Sequence, residues 1–279
     1  MIFEIPQVIR YALLAWRFRD YRPKRVTFAG LREWIRQFER EDRSTILNIL
    51  QSVSYLNEGD VSRILVEQNE ALIRKLNAAG IATKKIIYVS IDTAGSSSAV
   101  MLNLLRDACH LERRGCYLLD SRDVLGISQV SAKIDGGAIV YVDDFSGSGG
   151  QFSRSRDFMS QHLVGTFAEF FLVACICEEA IYELAERQVE ACTGSIHARA
   201  QRPLHEQGVG LAVGDKNRLR EYCLGIDGRG GLGYGALATN VVLYRNCPNT
   251  APVLLRGTKG QEELVGIFPR TDDLPVPAL

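Results

Sequence analysis

The stretch Ala138 to Phe152 reads AIVYVDDFSGSGGQF, and the order of its residue types decides the fold class. Its first five residues form a short apolar run, as in a strand that is buried on both faces of a parallel sheet. Two carboxylates, Asp143 and Asp144, follow the run, and a glycine-rich turn then leads into a helix expected from about Ser153. This succession predicts a strand–turn–helix unit with a ligand site at the carboxyl end of the strand.

Segments on both sides of this unit repeat the alternation of strand and helix. Apolar runs that predict strands occupy residues 86–91, 116–119 and 170–177, and a helix is expected over residues 178–192. Strands without polar alternation, separated by helices, indicate a parallel sheet that is covered on both faces. The predicted fold class is therefore α/β, with a Rossmann-like parallel-sheet core.

The first 80 residues have a helical pattern. Apolar residues within 31–38 recur at the spacing of one helix face, and Gly80 follows the last periodic segment, as a glycine after a helix often does. We therefore expect a helical N-terminal region over residues 1–80 that serves packing and dimerisation, followed by an α/β domain over residues 81–279. A homo-oligomer is compatible with this organisation.

The last third of the chain gives a weaker signal. Two apolar runs, residues 209–213 and 240–244, predict strands, and six glycines lie between them within residues 225–235. Gly228, Gly230 and Gly233 have the spacing of a dinucleotide-binding motif, but no clear strand precedes them and no clear helix follows, so that function is rejected. We expect a flexible surface loop here.

Composition excludes several classes of protein. Lys and Arg number 33, as do Asp and Glu, so the chain lacks a global field that would attract nucleic acid. Its 7 cysteines predict reduced, buried thiols, and none has a spacing to histidine that suits a structural metal. The longest apolar run is far shorter than the about 20 residues that a membrane helix needs. We expect a cytoplasmic protein.

A local excess of positive charge lies near the N terminus. Five basic residues cluster there with only Asp20 opposing them, namely Arg17, Arg19, Arg22, Lys24 and Arg25. Such a run is either a solvated surface turn or a contact to an acidic protein or a nucleic-acid backbone.

The turn after Asp144 has the composition of an anion-binding cradle. Backbone N–H groups of a glycine-rich turn at a helix N-terminus converge on an anion, and the helix dipole adds to the attraction. The cradle residues are Ser146, Gly147, Ser148, Gly149, Gly150 and Gln151. Two acids directly before such a cradle would repel a phosphate, so they suit ribose hydroxyls or magnesium beside it.

A second loop of small residues follows the first predicted strand of the α/β region. It consists of Asp92, Thr93, Ala94, Gly95, Ser96, Ser97 and Ser98, and a helix comes next. No lysine follows its glycine, so nucleoside triphosphatase chemistry of the Walker type is not expected.

The order of strand, two acids and glycine turn resembles the phosphoribosyl pyrophosphate (PRPP) signature of the type I phosphoribosyltransferases. The resemblance implies a phosphoribosyltransferase-type core in which Asp143 and Asp144 face the ribose hydroxyls, Ser146 to Gln151 hold the 5-phosphate, and the loop of Asp92 to Ser98 grips pyrophosphate with Mg²⁺. Two positions depart from the family's pattern, since Ser148 and Gln151 stand where threonines are usual.

Two segments outside the strand–turn–helix unit indicate a narrower family. Residues 31–38 (LREWIRQF) and 246–252 (NCPNTAP) are similar to the leader and the closing motif of phosphoribosyltransferase-like proteins from bacterial conflict systems. That resemblance implies a toxin-like effector in antiphage defence, with a retron reverse transcriptase and its nucleic acid as a partner that the basic cluster Arg17 to Arg25 would contact.

Two functions remain open at this stage. The chain is either an enzyme that breaks or exchanges the C1 bond of a ribosyl phosphate, or a nucleotide-sensing, partner-gated subunit without turnover. No residue stands out as a general base. Lys133 lies where family members carry a mobile catalytic loop, but we interpret it as a solvated surface lysine.

Overall fold

The computed structural model describes residues 7–92, 96–192, 194–197 and 202–274. The chain divides into two compact units, one formed by residues 1–58 together with 198–279, and the other by residues 59–197. The boundary expected near residue 80 falls inside the second unit, because a long helix that the pattern grouped with the N-terminal helices belongs to the α/β unit.

The second unit is an α/β sheet with helices between its strands. Its helices are α4 (Glu58–Ala78), α5 (Ser97–Cys109), α6 (Val124–Ser131), α7 (Gly150–Ser160) and α8 (Glu178–Glu186). Its strands are β2 (Ile86–Ser90), β3 (Tyr117–Asp120), β4 (Ala138–Ser146), β5 (Ala168–Ile176), β6 (Val189–Ala191) and β7 (Ile196–His197). Among the described residues every strand pair of this sheet is parallel, which confirms the predicted fold class.

The strand order places a ligand crevice between two neighbouring strands. The order is β3-β2-β4-β5-β6, with β7 also paired to β5. The chain therefore runs from β2 outward to β3 and then returns to the other side of β2 with β4. Such a reversal opens a crevice at the carboxyl ends of the two inner strands, where doubly wound folds bind their ligands.

The core of this unit explains the uninterrupted apolar runs. All five residues of β2 are buried, as are the first seven of β4. Phe152 of α7 stacks on Phe171 of β5 with ring centroids 4.9 Å apart and meets Tyr141 of β4 edge to face. Helix α8 ends at Glu186, short of the predicted Cys192, because Gln188 adopts a φ of 57° and the chain re-enters the sheet as β6.

The first unit is mainly helical. It contains α1 (Gln7–Arg17), α2 (Phe28–Arg36), α3 (Arg43–Gln51), α9 (Val213–Asp227) and α10 (Val253–Arg256). Strand β1 (Ser54–Leu56) pairs in parallel with β8 (Val241–Leu243), so residues almost 190 positions apart in sequence share a ladder. Short 3₁₀ segments occupy residues 83–85 of the α/β unit and residues 228–232, 234–236, 259–261 and 271–273 of the helical unit.

Two predictions for the last third were wrong. The run 209–213 is not a strand, since Val213 begins α9 and both Val209 and Val213 are exposed. Residues 228–235 are not a loose loop but two tight 3₁₀ turns. Arg256 fixes them, because its guanidinium donates to Gly230 O at 2.8 Å and pairs with Asp227 at 2.9 Å.

The segment NCPNTAP has a packing role in the helical unit. The amide of Cys247 donates to the Tyr21 hydroxyl at 3.0 Å, and that hydroxyl donates to Pro269 O at 2.7 Å. Pro252 begins α10. All seven cysteines of the chain are buried and none forms a disulfide bond, as the sequence predicted. Within the described residues, no helix is both long enough and apolar enough to span a membrane.

Candidate functional site

The paired acids lie at the carboxyl end of β4, beside the reversal of strand order between β2 and β4. Asp143 is 4% exposed and Asp144 9% exposed. One carboxylate oxygen of Asp143 accepts from the Asp144 amide at 2.9 Å and from Ser97 Oγ at 3.2 Å. Ser97 belongs to the first turn of α5, so the second predicted loop contacts the first acid directly.

Burial makes the charged form of this pair costly. Desolvation raises the pKa of Asp143 well above its usual range, and the neighbouring Asp144 carboxylate raises that pKa further. The charge of Asp144 also contributes to the raised pKa of the Cys175 thiol, whose largest cause is burial. Two carboxyl groups in such an environment share a proton more easily than they hold two charges. Donor groups of a ligand would relieve that cost.

The turn between β4 and α7 consists of Gly147, Ser148 and Gly149, with Ser146 as the last residue of the strand. Gly149 caps α7 in the left-handed region at a φ of 77°, and a Cβ there would lie 2.8 Å from Glu183 Cβ of α8. A glycine is therefore required at this position for both conformation and packing.

Backbone donors of this turn are available. The N–H groups of Gly147, Ser148, Gly149 and Gln151 donate to no acceptor within the part of the chain that the structure describes, and the Gly150 amide has only a 3.4 Å contact with Ser148 Oγ. Helix N-termini leave their first amides without intrahelical partners. The predicted cradle thus contains several amides without an acceptor, directly after two buried acids in the sequence.

The second predicted loop is described in part. Thr93, Ala94 and Gly95 lie outside the described residues. Ser96 caps α5 by accepting from the Ala99 amide at 3.2 Å. Ser98 is fully buried, accepts from the Ile91 amide at 2.7 Å and donates to Val142 O at 2.6 Å. Ser96 and Ser98 therefore fix the first turn of α5, and Ser97 is the serine that reaches the acids.

The two predicted loops meet across the crevice. Gln151 Nε2 in the first turn of α7 donates to Asp92 Oδ2 at 3.0 Å. The Ser155 hydroxyl of the same helix donates to the carbonyl of Ile91. Gln151, which replaces a usual threonine, thus connects the cradle to the loop after β2. Asp92 is half-buried at that junction.

Sequence reasoning missed one cation beside the cradle. Arg154 is exposed on α7, and a Cβ built on Gly150 would lie 3.5 Å from Arg154 Nη1. Arg154 makes no hydrogen bond or ion pair with the described residues. By contrast, Arg156 on the same helix pairs with Glu169 at 2.8 Å. The i, i+4 spacing of Gly150 and Arg154 could have indicated this placement once the helix start was known.

The basic cluster near the N terminus is used largely within its own unit. Arg17 donates to the carbonyls of Gln51 and Val53, and Arg22 pairs with Glu58 at 2.9 Å. Arg19 lies over the Trp16 ring at 4.5 Å. Lys24 and Arg25 have no hydrogen bond or ion pair among the described residues. The acidic or nucleic-acid partner predicted for this cluster stays a prediction.

Within the described residues, no group of three or more His, Cys, Asp or Glu side chains could hold a metal ion by itself. A family model described as PRTase-CE matches residues 31–270 of the chain. No curated protein matches the chain, and no solved structure does. The match covers the paired acids, the cradle and the loop of Asp92 to Ser98.

Proposed function

This chain belongs to the PRTase-CE family of phosphoribosyltransferase-like proteins, and we propose that it binds PRPP, or a related ribosyl 5-phosphate or nucleotide, at the crevice between β2 and β4. One observation carries the proposal. Backbone amides at a helix N-terminus, which have no acceptor among the described residues, lie next to two acids that are almost entirely buried. A ligand that combines an anion with hydroxyl donors satisfies both.

Each group of the site has a role in this proposal. Asp143 and Asp144 accept hydrogen bonds from the ribose 2- and 3-hydroxyls. The amides of Gly147 to Gln151 and the hydroxyl of Ser148 hold the 5-phosphate. Arg154 contributes the positive charge that the cradle otherwise lacks. An unpaired cation at the positive end of a helix dipole is unfavourable, and a bound dianion reverses that balance.

Magnesium fits the site in one mode only. Mg²⁺ is commonly held by one or two carboxylates together with the phosphates of its ligand. Asp92 and Asp144 are the carboxylates that would complete such a set beside pyrophosphate. When bound, the ion would neutralise charge on the pyrophosphate group.

The reaction class is ribosyl transfer at C1. Breaking the bond between C1 and the pyrophosphate oxygen leaves an electron-poor sugar, and an acceptor nitrogen or water supplies the new bond. The chain's contribution is positional. Asp143 and Asp144 fix the ribose, the cradle fixes one phosphate, and the loop after β2 holds the leaving group at the other end.

The direct test measures binding and turnover separately. Calorimetric titration with PRPP in the presence of Mg²⁺ should show saturable binding, and ribose 5-phosphate should compete with PRPP while ribose should not. Pyrophosphate release, followed with a panel of bases and with none, tests the enzyme assignment. An absence of PRPP binding together with an absence of ribose 5-phosphate binding would refute the site.

Arg154→Gln sharpens that test. Loss of one charge-assisted contact should weaken ribose 5-phosphate binding about tenfold. The matched control is Arg113→Gln, an exposed arginine of the same unit outside the crevice, which should bind normally. Equal affinities for all three proteins would remove Arg154 from the site while leaving the acids and the cradle in place.

A non-catalytic binder is the second candidate. Because residue 151 is glutamine, the cradle lacks the hydroxyl that a threonine would supply. The side chain of Gln151 instead donates to Asp92, which belongs to the predicted pyrophosphate loop. Tight binding of PRPP or a nucleotide without pyrophosphate release or nucleotide consumption would establish this function instead.

We also propose that the chain acts as an effector in antiphage defence, with a reverse transcriptase complex as its partner and the cellular nucleotide pool as its target. The support is the likeness of residues 31–38 and 246–252 to conflict-system proteins. Expression of the wild-type chain with its genetic neighbours should deplete a nucleotide upon phage infection. Expression of an Asp143→Asn/Asp144→Asn variant should not.

A further inference from the structure

The helical unit contains a pocket that is separate from the proposed ribosyl-phosphate site. Only residues of this unit line it. It encloses about 420 Å³ between α2 and the segment 265–267. Val26, Trp34 and Ile267 give it a buried apolar floor. Gln37 joins its two walls, because its amide donates to Val265 O at 3.1 Å and accepts from the Val265 amide at 2.9 Å. The pocket is therefore a built feature of this unit.

The floor carries a donor without an acceptor. Trp34 is 3% exposed, and its indole Nε1–H has no hydrogen-bond partner among the described residues. Its ring packs edge to face on Phe38 with centroids 5.2 Å apart, which supplies apolar contact. Buried tryptophan N–H groups usually find a partner, because an unmade hydrogen bond costs free energy. The floor of the pocket therefore consists of the apolar faces of Trp34 and its neighbours, and the indole N–H is buried beneath it.

The mouth of the pocket is cationic. Lys24 and Arg25 line it, and neither has a partner among the described residues. Glu33 is the one carboxylate of the lining, and no ion pair within 4.0 Å joins it to a described cation. Thr27, the N-cap of α2, and Gly30 in its first turn complete this side, so the positive end of the helix dipole adds to the field.

We propose that this pocket binds an organic anion, with an apolar body on the floor and a carboxylate, sulfonate or phosphate group between Lys24 and Arg25. Apolar pockets of this size with a few convergent polar groups are typical of small-molecule sites. The pocket lies outside the proposed ribosyl-phosphate site and its assignment does not depend on that function. It also accounts for the two members of the basic cluster that their own unit leaves unpaired.

Fluorescence gives a direct test, because the chain has only 2 tryptophans, Trp16 and Trp34. In a Trp16→Phe protein Trp34 is the single reporter. The probe is 8-anilinonaphthalene-1-sulfonate, and N-phenyl-1-naphthylamine is its counterpart without the sulfonate. The anion should quench Trp34 by energy transfer, saturate at one equivalent, and bind at least about tenfold more tightly than the neutral compound.

Charge variants decide whether the anion matters. Lys24→Gln with Arg25→Gln should lower the affinity for the sulfonate to that of the neutral compound. Arg36→Gln with Arg40→Gln removes the same charge from exposed positions of the same unit outside the pocket and should leave it unchanged. Val265→Glu places a carboxylate in the wall and should abolish binding.

Circular dichroism and the thermal midpoint confirm folding of each protein. If one of the double variants does not fold, the loss of sulfonate binding in Val265→Glu tests the proposal instead. A sulfonate that leaves Trp34 unquenched would overturn the proposal, as would equal affinities for the charged and the neutral probe, or equal losses in the two double variants.

Discussion

Two glycine-rich segments of this chain look alike in composition and do opposite things. Residues 147–150 connect a buried strand to a helix, and the amides of residues 147–149 have no acceptor among the described residues. Residues 228–235 press their backbone against neighbours, since a Cβ on Gly231 would lie 2.0 Å from Cys223 O and one on Gly233 2.2 Å from Thr250 O. We call the first segment open, because most of its amides lack acceptors, and the second closed, because its backbone is packed against its neighbours.

The difference shows that glycine content alone predicts neither flexibility nor a phosphate site. What precedes and follows the glycines decides their role. A parallel strand that ends in two acids leaves the next turn at the ligand edge of a sheet. A helix end that folds back on itself uses glycine to bring two backbones closer than side chains allow.

The largest expected effect is on the two acids that precede the open segment. Asp143→Asn with Asp144→Asn replaces two charged acceptors by amides and should weaken ribosyl 5-phosphate binding by about 1,000-fold, since hydrogen bonds to charged groups contribute roughly 2 kcal/mol each. Calorimetric titration measures the loss. The fold should persist, because the side-chain oxygen of the first asparagine would still accept from the backbone N–H of the next residue; an unchanged affinity would disprove the site.

The closed segment should respond in stability instead. Gly231→Ala forces a methyl group into the Cys223 backbone and should lower the free energy of unfolding by about 3 kcal/mol. Gly225→Ala, in α9 with open space around its Cβ, should raise it by about 0.5 kcal/mol and serves as the control. Urea denaturation measures both. If the two alanines behaved alike, the segment would not be closed by packing.

The acids also predict how stability depends on pH. Asp143 has a pKa that is raised in the folded protein, so its favourable contribution is fully present below the unfolded-state pKa of about 4 and is lost as the pH rises through the folded-state pKa. The free energy of unfolding should therefore fall over that interval by up to about 1.4 kcal/mol per pH unit.

Asp143→Asn removes this titration. It should therefore flatten the pH dependence of the free energy of unfolding, measured by urea denaturation from pH 4 upward. Ligand hydroxyls favour the charged carboxylate, so ribosyl-phosphate binding should release protons near the folded-state pKa. Calorimetry in two buffers of different ionisation enthalpy detects that release. A variant with the slope of the wild type would assign the titration to another group.

The smallest effect separates binding from stability at one position. Gly150 begins α7 in helical conformation, and a Cβ there meets only Arg154 Nη1 and Ser148 Oγ, each at 3.5 Å. Gly150→Ala should raise the free energy of unfolding by about 0.5 kcal/mol. The same methyl group occupies the space that an approaching phosphate needs, so affinity should fall about fivefold. Loss of both stability and affinity would indicate a structural role only.

Local patterns were sufficient for the parts of the fold that local chemistry determines. The strand, the two acids and the turn up to Gly149 were predicted because an uninterrupted apolar run, paired carboxylates and glycines each restrict the backbone in a recognisable way. The helix begins at Gly150 and not near Ser153 as predicted. The position of Arg154 relative to the cradle depends on the first helical residue, so the sequence did not indicate that Arg154 lies beside the cradle.

Long-range contacts account for most of what the sequence did not predict. The grouping of β1 with β8 joins segments separated by the whole α/β unit, and no pattern within either segment indicates its partner. The 3₁₀ turns near Gly231 depend on Arg256, which lies 25 residues further along. The contact between Gln151 and Asp92 likewise required the sheet order, which places the ends of β2 and β4 side by side.

The pairing of Ser54 with Val241 has a consequence for the synthesis of the protein. The α/β unit is complete when residue 197 has been made, whereas the helical unit needs residues on both sides of it. At about 5–20 residues per second, the early helices wait roughly 10 to 40 s for β8 and α10. Val53 and Leu50, which are fully buried in the finished unit, remain uncovered during that interval. We expect nascent chains to depend on chaperones at this stage. The helical unit should fold only after β8 and α10 have been synthesised.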